Sequence, residues 1–218
     1  MPITMKHRTL IAAALLGTLA APALSQTAAP APAPAVQEDL VPVAIDTSLG
    51  RIVIALDRGR APVTTANFLR YIDGHRLDGQ NFYRAMHISD GKGGDGGLIQ
   101  GGVTTDARKL FPPIAHEPTT QTGLKNVAGA ISMANAGPGT ARGDFFILLS
   151  DMPGLDANGP GGDANGFAPF GRVTEGMDVV KKIWEAPVSA TKGEGVMKGQ
   201  LLEPKIRIVK ASRLSGGK

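Results

Sequence analysis

Apolar and polar positions alternate from Val43 to Leu56. Val43, Ile45 and Thr47 share one side of a predicted strand, and Ile52, Ile54 and Leu56 share one side of the next. Ser48-Leu49-Gly50 between them predicts a tight hairpin, because glycine can take a positive φ there. The period then changes. Pro62 suits the first turn of a helix, Phe68, Leu69 and Ile72 give it an apolar stripe, and Asp73-Gly74 ends it. The stretch from Gly129 to Pro138, with Gly143-Asp144-Phe145-Phe146-Ile147-Leu148 after it, reads as strand, irregular segment, strand. After Gly176, Met177, Val180, Ile183 and Trp184 fall at helical spacing, which assigns the single tryptophan to the core rather than to a groove. Ile206 and Ile208 alternate with Lys205 and Arg207 in a last strand running towards Ala211. Many short strands with two widely separated helices predict a mainly β protein. The expected form is a closed or nearly closed antiparallel barrel with helices over its open ends. The pattern alone leaves the strand count open.

Before Leu40 no such pattern exists. Lys6-His7-Arg8 precede an Ala/Leu-rich run from Leu10 to Leu24, broken by Pro22 and followed by Ser25-Gln26. A basic start, an apolar middle and small residues at the end are the parts of a secretory signal peptide, here residues 1–25. The run is short and weak for a bilayer span of about 20 apolar residues, so a retained anchor is the lesser reading. No Arg-Arg pair points to twin-arginine export. Residues 26–39 form an Ala/Pro linker, Ala29-Pro30-Ala31-Pro32-Ala33-Pro34-Ala35 at its centre, expected to be an extended tether. The folded domain is expected over 40–214, with 215–218 as a tail. Signal and tether together predict a periplasmic protein with no stable membrane span after processing.

Composition narrows the function. With 218 residues, 42% hydrophobic and 19% charged, the chain can bury one sizeable core. Its 29 glycines and 16 prolines suit a turn-rich β fold. The net charge is +4; no acidic residue precedes Glu38, so loss of Lys6 and Arg8 lowers it by two, to about +2. The remaining cations are dispersed without interleaved aromatics, which argues against a nucleic-acid partner. Without cysteine there is no disulfide and no thiolate chemistry.

Several motifs carry no chemistry. Gly91-Lys92-Gly93-Gly94-Asp95-Gly96 fits G-x-G-x-x-G but lacks a strand entering and a helix leaving. Asp156-Ala157-Asn158-Gly159 and Asp163-Ala164-Asn165-Gly166 have the wrong acidic spacing for an EF-hand and read as turns. His75, His87 and His116 show no ligand spacing, and Ser132 lies in no nucleophile elbow. No metal and no cofactor is expected. What remains is a surface for an extended peptide: free backbone at Ala134-Asn135 over an apolar floor from Phe146, with Phe82-Tyr83-Arg84 and Leu98-Ile99-Gln100-Gly101-Gly102 upstream.

Taken together, these three stretches resemble the cyclophilin family of peptidyl-prolyl cis/trans isomerases, over about Val41 to Leu214. The resemblance implies eight strands, two capping helices and catalysis of X–Pro rotation without nucleophile or cofactor. That rotation crosses a barrier of about 18–20 kcal/mol because resonance holds the amide planar. A donor aimed at the proline nitrogen binds the twisted amide better than either planar form, which is what catalysis requires. By resemblance Arg84 is that donor and Gln100 its hydrogen-bond partner. Phe82, Leu98, Ala134, Asn135, Phe146, Leu155 and Phe167 are the expected substrate-binding residues, with Asn135 pairing through its backbone to the residue before proline. The partners implied are proline-containing, unfolded or partly folded exported proteins, met by a monomer. A cyclophilin-like binding module or chaperone with little turnover is the competing expectation.

The chain departs from the family pattern in places. Residues 85 to 99 between Arg84 and Gln100 are about twice the usual spacing, and the excess, His87 to Gly97, is expected to be a surface loop. It sets Gly97 where a pocket phenylalanine usually stands. Gly154 replaces a frequent tryptophan, Phe167 a histidine, Tyr83 a histidine and Asp144 a glutamine. Cyclosporin-type macrocycles use that tryptophan, so weak inhibition is expected.

Overall fold

The computed structural model describes residues 39–89, 95–103 and 106–215. The expected signal peptide, all of the tether but Asp39, the centre of the Gly-rich segment and the tail beyond Ser215 lie outside the described residues.

In chain order the elements are β1 (Leu40–Thr47), β2 (Gly50–Asp57), α1 (Pro62–Asp73), β3 (Asn81–Ser89), β4 (Asp95–Gly102), α2 (Thr119–Thr122), β5 (Ala130–Met133), β6 (Asp144–Leu148), β7 (Ala168–Glu175), α3 (Met177–Trp184), β8 (Val188–Ser189) and β9 (Leu201–Arg213). The sheet runs β1-β2-β7-β5-β6-β4-β3-β9, and β9 pairs back onto β1. Every pairing is antiparallel, so eight strands close a barrel and no barrel strand presents an open edge. The two-residue β8 pairs with β9 outside that circuit.

Local sequence accounts for the ends of these elements. Ser48 and Leu49 link β1 to β2, Gly50 has φ +136°, and the Thr47 hydroxyl donates to the Gly50 carbonyl at 2.8 Å. Pro62 opens α1, whose first amides, Val63 and Thr64, donate to the Glu117 carboxylate at 3.1 and 2.7 Å. An acid at a helix N-terminus satisfies orphan N–H groups and opposes the positive end of the dipole. The helix buries Phe68, Leu69, Tyr71 and Ile72; Phe68 meets Phe145 edge-on at 5.1 Å and Phe170 at 5.2 Å inside the barrel. Helix α3 buries Val179, Val180, Ile183 and Trp184, and the Trp184 indole N–H donates to the Met86 carbonyl at 2.9 Å. The tryptophan thus belongs to the core cluster. Both expected helices are present, and among the described residues the single-turn α2 is a third. No helix of the described residues is long and apolar enough to cross a membrane.

The expected loop over His87–Gly97 requires correction. His87–Ser89 and Asp95–Gly97 continue β3 and β4, pairing His87 with Gly97, Ile88 with Gly96 and Ser89 with Asp95. Backbone bonds hold this hairpin, so its side chains need no apolar period. Glycine is required at its base. A Cβ on Gly97 (φ +142°) would lie 1.8 Å from the Met86 carbonyl oxygen, and one on Gly96 would lie 2.2 Å from the Ser150 hydroxyl. The His87 ring lies over Trp184, centroids 4.1 Å apart.

Candidate active site

The strands β3, β4, β5 and β6 each have an inner and an outer face. Ile99, Ile131, Phe145 and Ile147 point into the barrel, whereas Leu98, Ala130, Phe146 and Leu148 form a second buried cluster outside it. Against that outer cluster lie Met86, Ala134, Met152, Leu155 and Phe167, and the Phe146 and Phe167 rings meet edge-to-face at 5.3 Å. Above it opens a cavity of about 310 Å³ lined by Arg84, Met86, Leu98, Gln100, Ala134, Asn135, Phe146, Leu155, Phe167, Val196 and Met197. Eight of the nine residues singled out from sequence therefore face one another.

Phe82 is the exception. It is fully buried in the barrel, 5.6 Å from the Phe145 ring centroid, and is a core residue, not a groove residue. Regular alternation would put Phe82 and Arg84 on the same face. The pairing of β3 with both neighbours shifts between Phe82 and Arg84, and this bulge turns Phe82 inward while Tyr83 and Arg84 face outward.

Arg84 lies half-buried at the polar end of the cavity. Its Nη1 donates to Gln100 Oε1 at 2.9 Å and its Nε to Gln200 Oε1 at 2.8 Å, while among the described residues Nη2 meets only the Met86 thioether, at 3.5 Å. Burial pulls its pKa below the ordinary arginine value. Arginine nevertheless remains a cation at neutral pH. Across the cavity Asn135 offers free backbone, making no backbone–backbone bond among the described residues. Its side-chain oxygen accepts from the Gly137 amide at 3.0 Å, and its Nδ2 is buried without a partner among the described residues.

A second cavity of about 370 Å³ adjoins the first and shares Gln100, Ala134, Asn135 and Met197 with it. Tyr83 and Asp144 lie on its wall, the phenol donating to Asp144 Oδ2 at 3.2 Å. Burial raises the Asp144 pKa to about 6, opposed by the Tyr83 hydrogen bond, and its Oδ1 is buried without a partner among the described residues. Burial and the neighbouring carboxylate push the Tyr83 pKa well up.

The departures from the expected aromatic wall have a physical basis. A Cβ on Gly154 would stand 3.0 Å from the Pro160 carbonyl oxygen, so the following loop occupies the direction a large side chain would take. The Asp156 carboxylate accepts from the Asn126 amide and side chain, and Asp163 accepts from the Asn165 and Gly166 amides. Asp163 thus serves its own turn, and Asp156 ties its loop to Asn126, 30 residues earlier. Met86, Val196, Met197 and Gln200 line the groove or bond its arginine without having been singled out by sequence. Only the Met86 position, two residues after Arg84 on one strand, carried any signal.

Residues 42–212 match the family model described as cyclophilin type peptidyl-prolyl cis-trans isomerase/CLD. The chain belongs to the cyclophilin-type peptidyl-prolyl cis/trans isomerases. It is 36% identical over 155 residues to peptidyl-prolyl cis-trans isomerase cyp18 of Streptomyces antibioticus, covering 69% of this chain and 87% of that protein. To peptidyl-prolyl cis-trans isomerase A of Dickeya dadantii it is 35% identical over 145 residues, covering 65% and 70%. A solved cyclophilin-type isomerase from Cryptosporidium parvum shares the fold, with a TM-score of 0.63 and 22% identity over 82% of this chain and 99% of that one. The same Cryptosporidium protein has been solved in the presence of the dipeptide Ala-Pro, with a TM-score of 0.62. The protein is therefore an enzyme that accelerates X–Pro isomerisation. In this cyclophilin an apolar pocket, free strand-like backbone and a fixed cation meet in one groove.

Proposed function

We propose that the cyclophilin domain binds an X–Pro segment with the proline ring over Phe146 and that Arg84 stabilises the twisted amide. The supporting observation is the state of the guanidinium. Two glutamine acceptors fix it beside a largely apolar cavity, and among the described residues its Nη2 has no oxygen partner. In the planar amide the proline nitrogen is a poor acceptor; as resonance breaks, it regains a lone pair. A donor held in place then gains most in the transition state, and a pocket that excludes water strengthens that gain. Leu98, Ala134, Leu155 and Phe167 complete the apolar wall, and the Asn135 backbone holds the residue before proline in an extended pairing.

The clients in this reading are proline-containing chains still folding after export, and the enzyme works as a monomer in a Gram-negative periplasm. The basic start, apolar run and Ala/Pro tether of the first 39 residues support that location. Cell fractionation with N-terminal sequencing of the mature protein tests it: a periplasmic species starting near residue 26 is expected, and a cytoplasmic species retaining Met1 would reject export. For the client class, the expected result is acceleration of a refolding phase limited by proline isomerisation. Activity on tetrapeptides with no effect on any such phase would remove unfolded proteins as clients.

A further inference from the structure

The segment between β8 and β9 belongs to the groove, although it lies more than 100 residues from Arg84 in sequence. After Ser189 the chain closes on itself. The Gly199 amide donates to the Lys192 carbonyl at 3.0 Å, a 3-10 turn covers Gly195–Met197, and the Gln200 amide donates to the Met197 carbonyl at 3.1 Å. Glu203 pairs with Lys192 across the base of this loop. Its end is then tied to β3, since the Ala85 amide donates to the Gln200 carbonyl at 3.0 Å. Two consequences follow. Val196 and Met197 are presented to the groove and line its cavity. The Gln200 side chain reaches Arg84 Nε at 2.8 Å from the side opposite Gln100.

We propose that Gln200 is a positioning residue for the isomerisation, holding Arg84 from a loop that forms one wall of the groove. This rests on the role proposed for Arg84. A guanidinium is a flat fork on a flexible stem; one acceptor at Nη1 leaves it free to swing about that contact. A second acceptor at Nε, on a separate strand connection, fixes the plane and directs Nη2 towards the cavity. Gln100 alone would leave a donor present but poorly aimed, and misplacement of about 1 Å can cost up to 10²-fold in rate. The acceptor is a neutral amide. Met197, lining both adjoining cavities, gives the same loop a flexible apolar contact with whatever residues flank the proline.

The test is a double-mutant cycle on the full chain. Gln200→Met keeps the side-chain length but removes the acceptor; Gln200→Ala removes both; Gln200→Glu keeps length and acceptor. The main-chain bond to Ala85 survives all three. Turnover and peptide dissociation constant are measured on a proline tetrapeptide, in the wild type and in Arg84→Ala, with enzyme high enough to exceed the thermal rate. The expected result is a kcat lowered about tenfold by Gln200→Met and Gln200→Ala, with peptide affinity held within about twofold and most turnover recovered in Gln200→Glu. In Arg84→Ala the same substitutions should add no further loss. Wild-type kcat in Gln200→Met overturns the proposal, as does an equal loss with and without Arg84, which would make Gln200 merely structural. If Arg84→Ala itself turns over normally, the Arg84 reading fails, and a surviving Gln200 effect would then be assigned elsewhere. Should Gln200→Ala melt near the assay temperature, Gln200→Met alone decides.

Discussion

The barrel carries two apolar clusters on opposite faces of the same strands. Inside, Ile99, Ile131, Phe145 and Ile147 pack with residues from α1 and α3 and are sealed from solvent. Outside, Leu98, Ala130, Phe146 and Leu148 are equally buried, but what covers them is partly exposed and stops at a cavity. Phe145 and Phe146 are neighbours in sequence and lie on opposite sides. The inner face is closed by aromatic contacts such as Phe68–Phe145 at 5.1 Å, whereas the outer face ends in an arginine, two glutamines and an unpaired asparagine amide. Period-two geometry lets one set of strands supply a core and a binding floor, and changes on one face need not disturb the other.

Exchanging the two faces gives the largest expected effect. Phe145→Ala should cost about 3–5 kcal/mol of stability, the range for a buried Phe truncation, with peptide affinity of the folded fraction little changed. Phe146→Ala should cost less, because its cavity opens to solvent, yet lower kcat/KM by at least about tenfold through the lost proline contact. Denaturant melts alongside peptide kinetics read both. Equal profiles for the two variants would erase the distinction between core and floor.

A somewhat smaller effect concerns large ligands. Cyclosporin-type macrocycles should bind weakly, because Gly154 carries no indole and Trp184 is committed to the core, donating to Met86. The loss of one aromatic anchor is on the order of 2 kcal/mol at a binding hot spot, or about thirtyfold in affinity. Tight, stoichiometric inhibition in a titration would show that another part of the groove replaces the anchor.

Next comes Asp144, at the groove's polar wall. Burial raises its pKa from an ordinary 3.8 to about 6, so the folded state binds this proton more tightly than the unfolded chain. Its contribution is most favourable below about pH 4 and is lost as pH rises through about 6. Asp144→Asn should therefore stabilise the protein at pH 7–8, by up to about 3 kcal/mol at about 1.4 kcal/mol per pKa unit, and leave stability at pH 4 nearly unchanged. Parallel stability–pH curves for variant and wild type would contradict this environment. The smallest effect is expected from shortening residues 90–94 to a two-residue Asn-Gly turn, which still spans the paired Ser89 and Asp95. Stability should shift by less than about 0.5 kcal/mol, provided the paired Asp95–Gly97 is kept.

Most elements were legible because local chemistry dictates them. Alternation marks β1 and β2, Pro62 and Asp73-Gly74 bound α1, and helical spacing marks α3. The arginine and its first glutamine were singled out through the family resemblance of their motifs, and the structure pairs Arg84 opposite Gln100. Phe82 was misplaced because a bulge reverses the face between residues two apart, and a bulge leaves no mark in composition. The pairing of His87–Ser89 with Asp95–Gly97 was missed because Gly96 and Gly97 serve close backbone approach, which hydrophobic pattern does not register. Gln200 was illegible for another reason: its role exists only through a pairing 116 residues away, within a loop that has no period of its own.

Arg84→Ala tests the central claim most directly, with turnover and peptide affinity measured on the same proline tetrapeptide. Loss of a donor that acts mainly in the transition state is predicted to lower kcat by about 10²–10³, with the peptide dissociation constant and melting temperature changed far less. Turnover near that of the wild type, or a fall in kcat/KM explained wholly by weaker binding, would contradict the assignment of Arg84 as the group that stabilises the twisted amide.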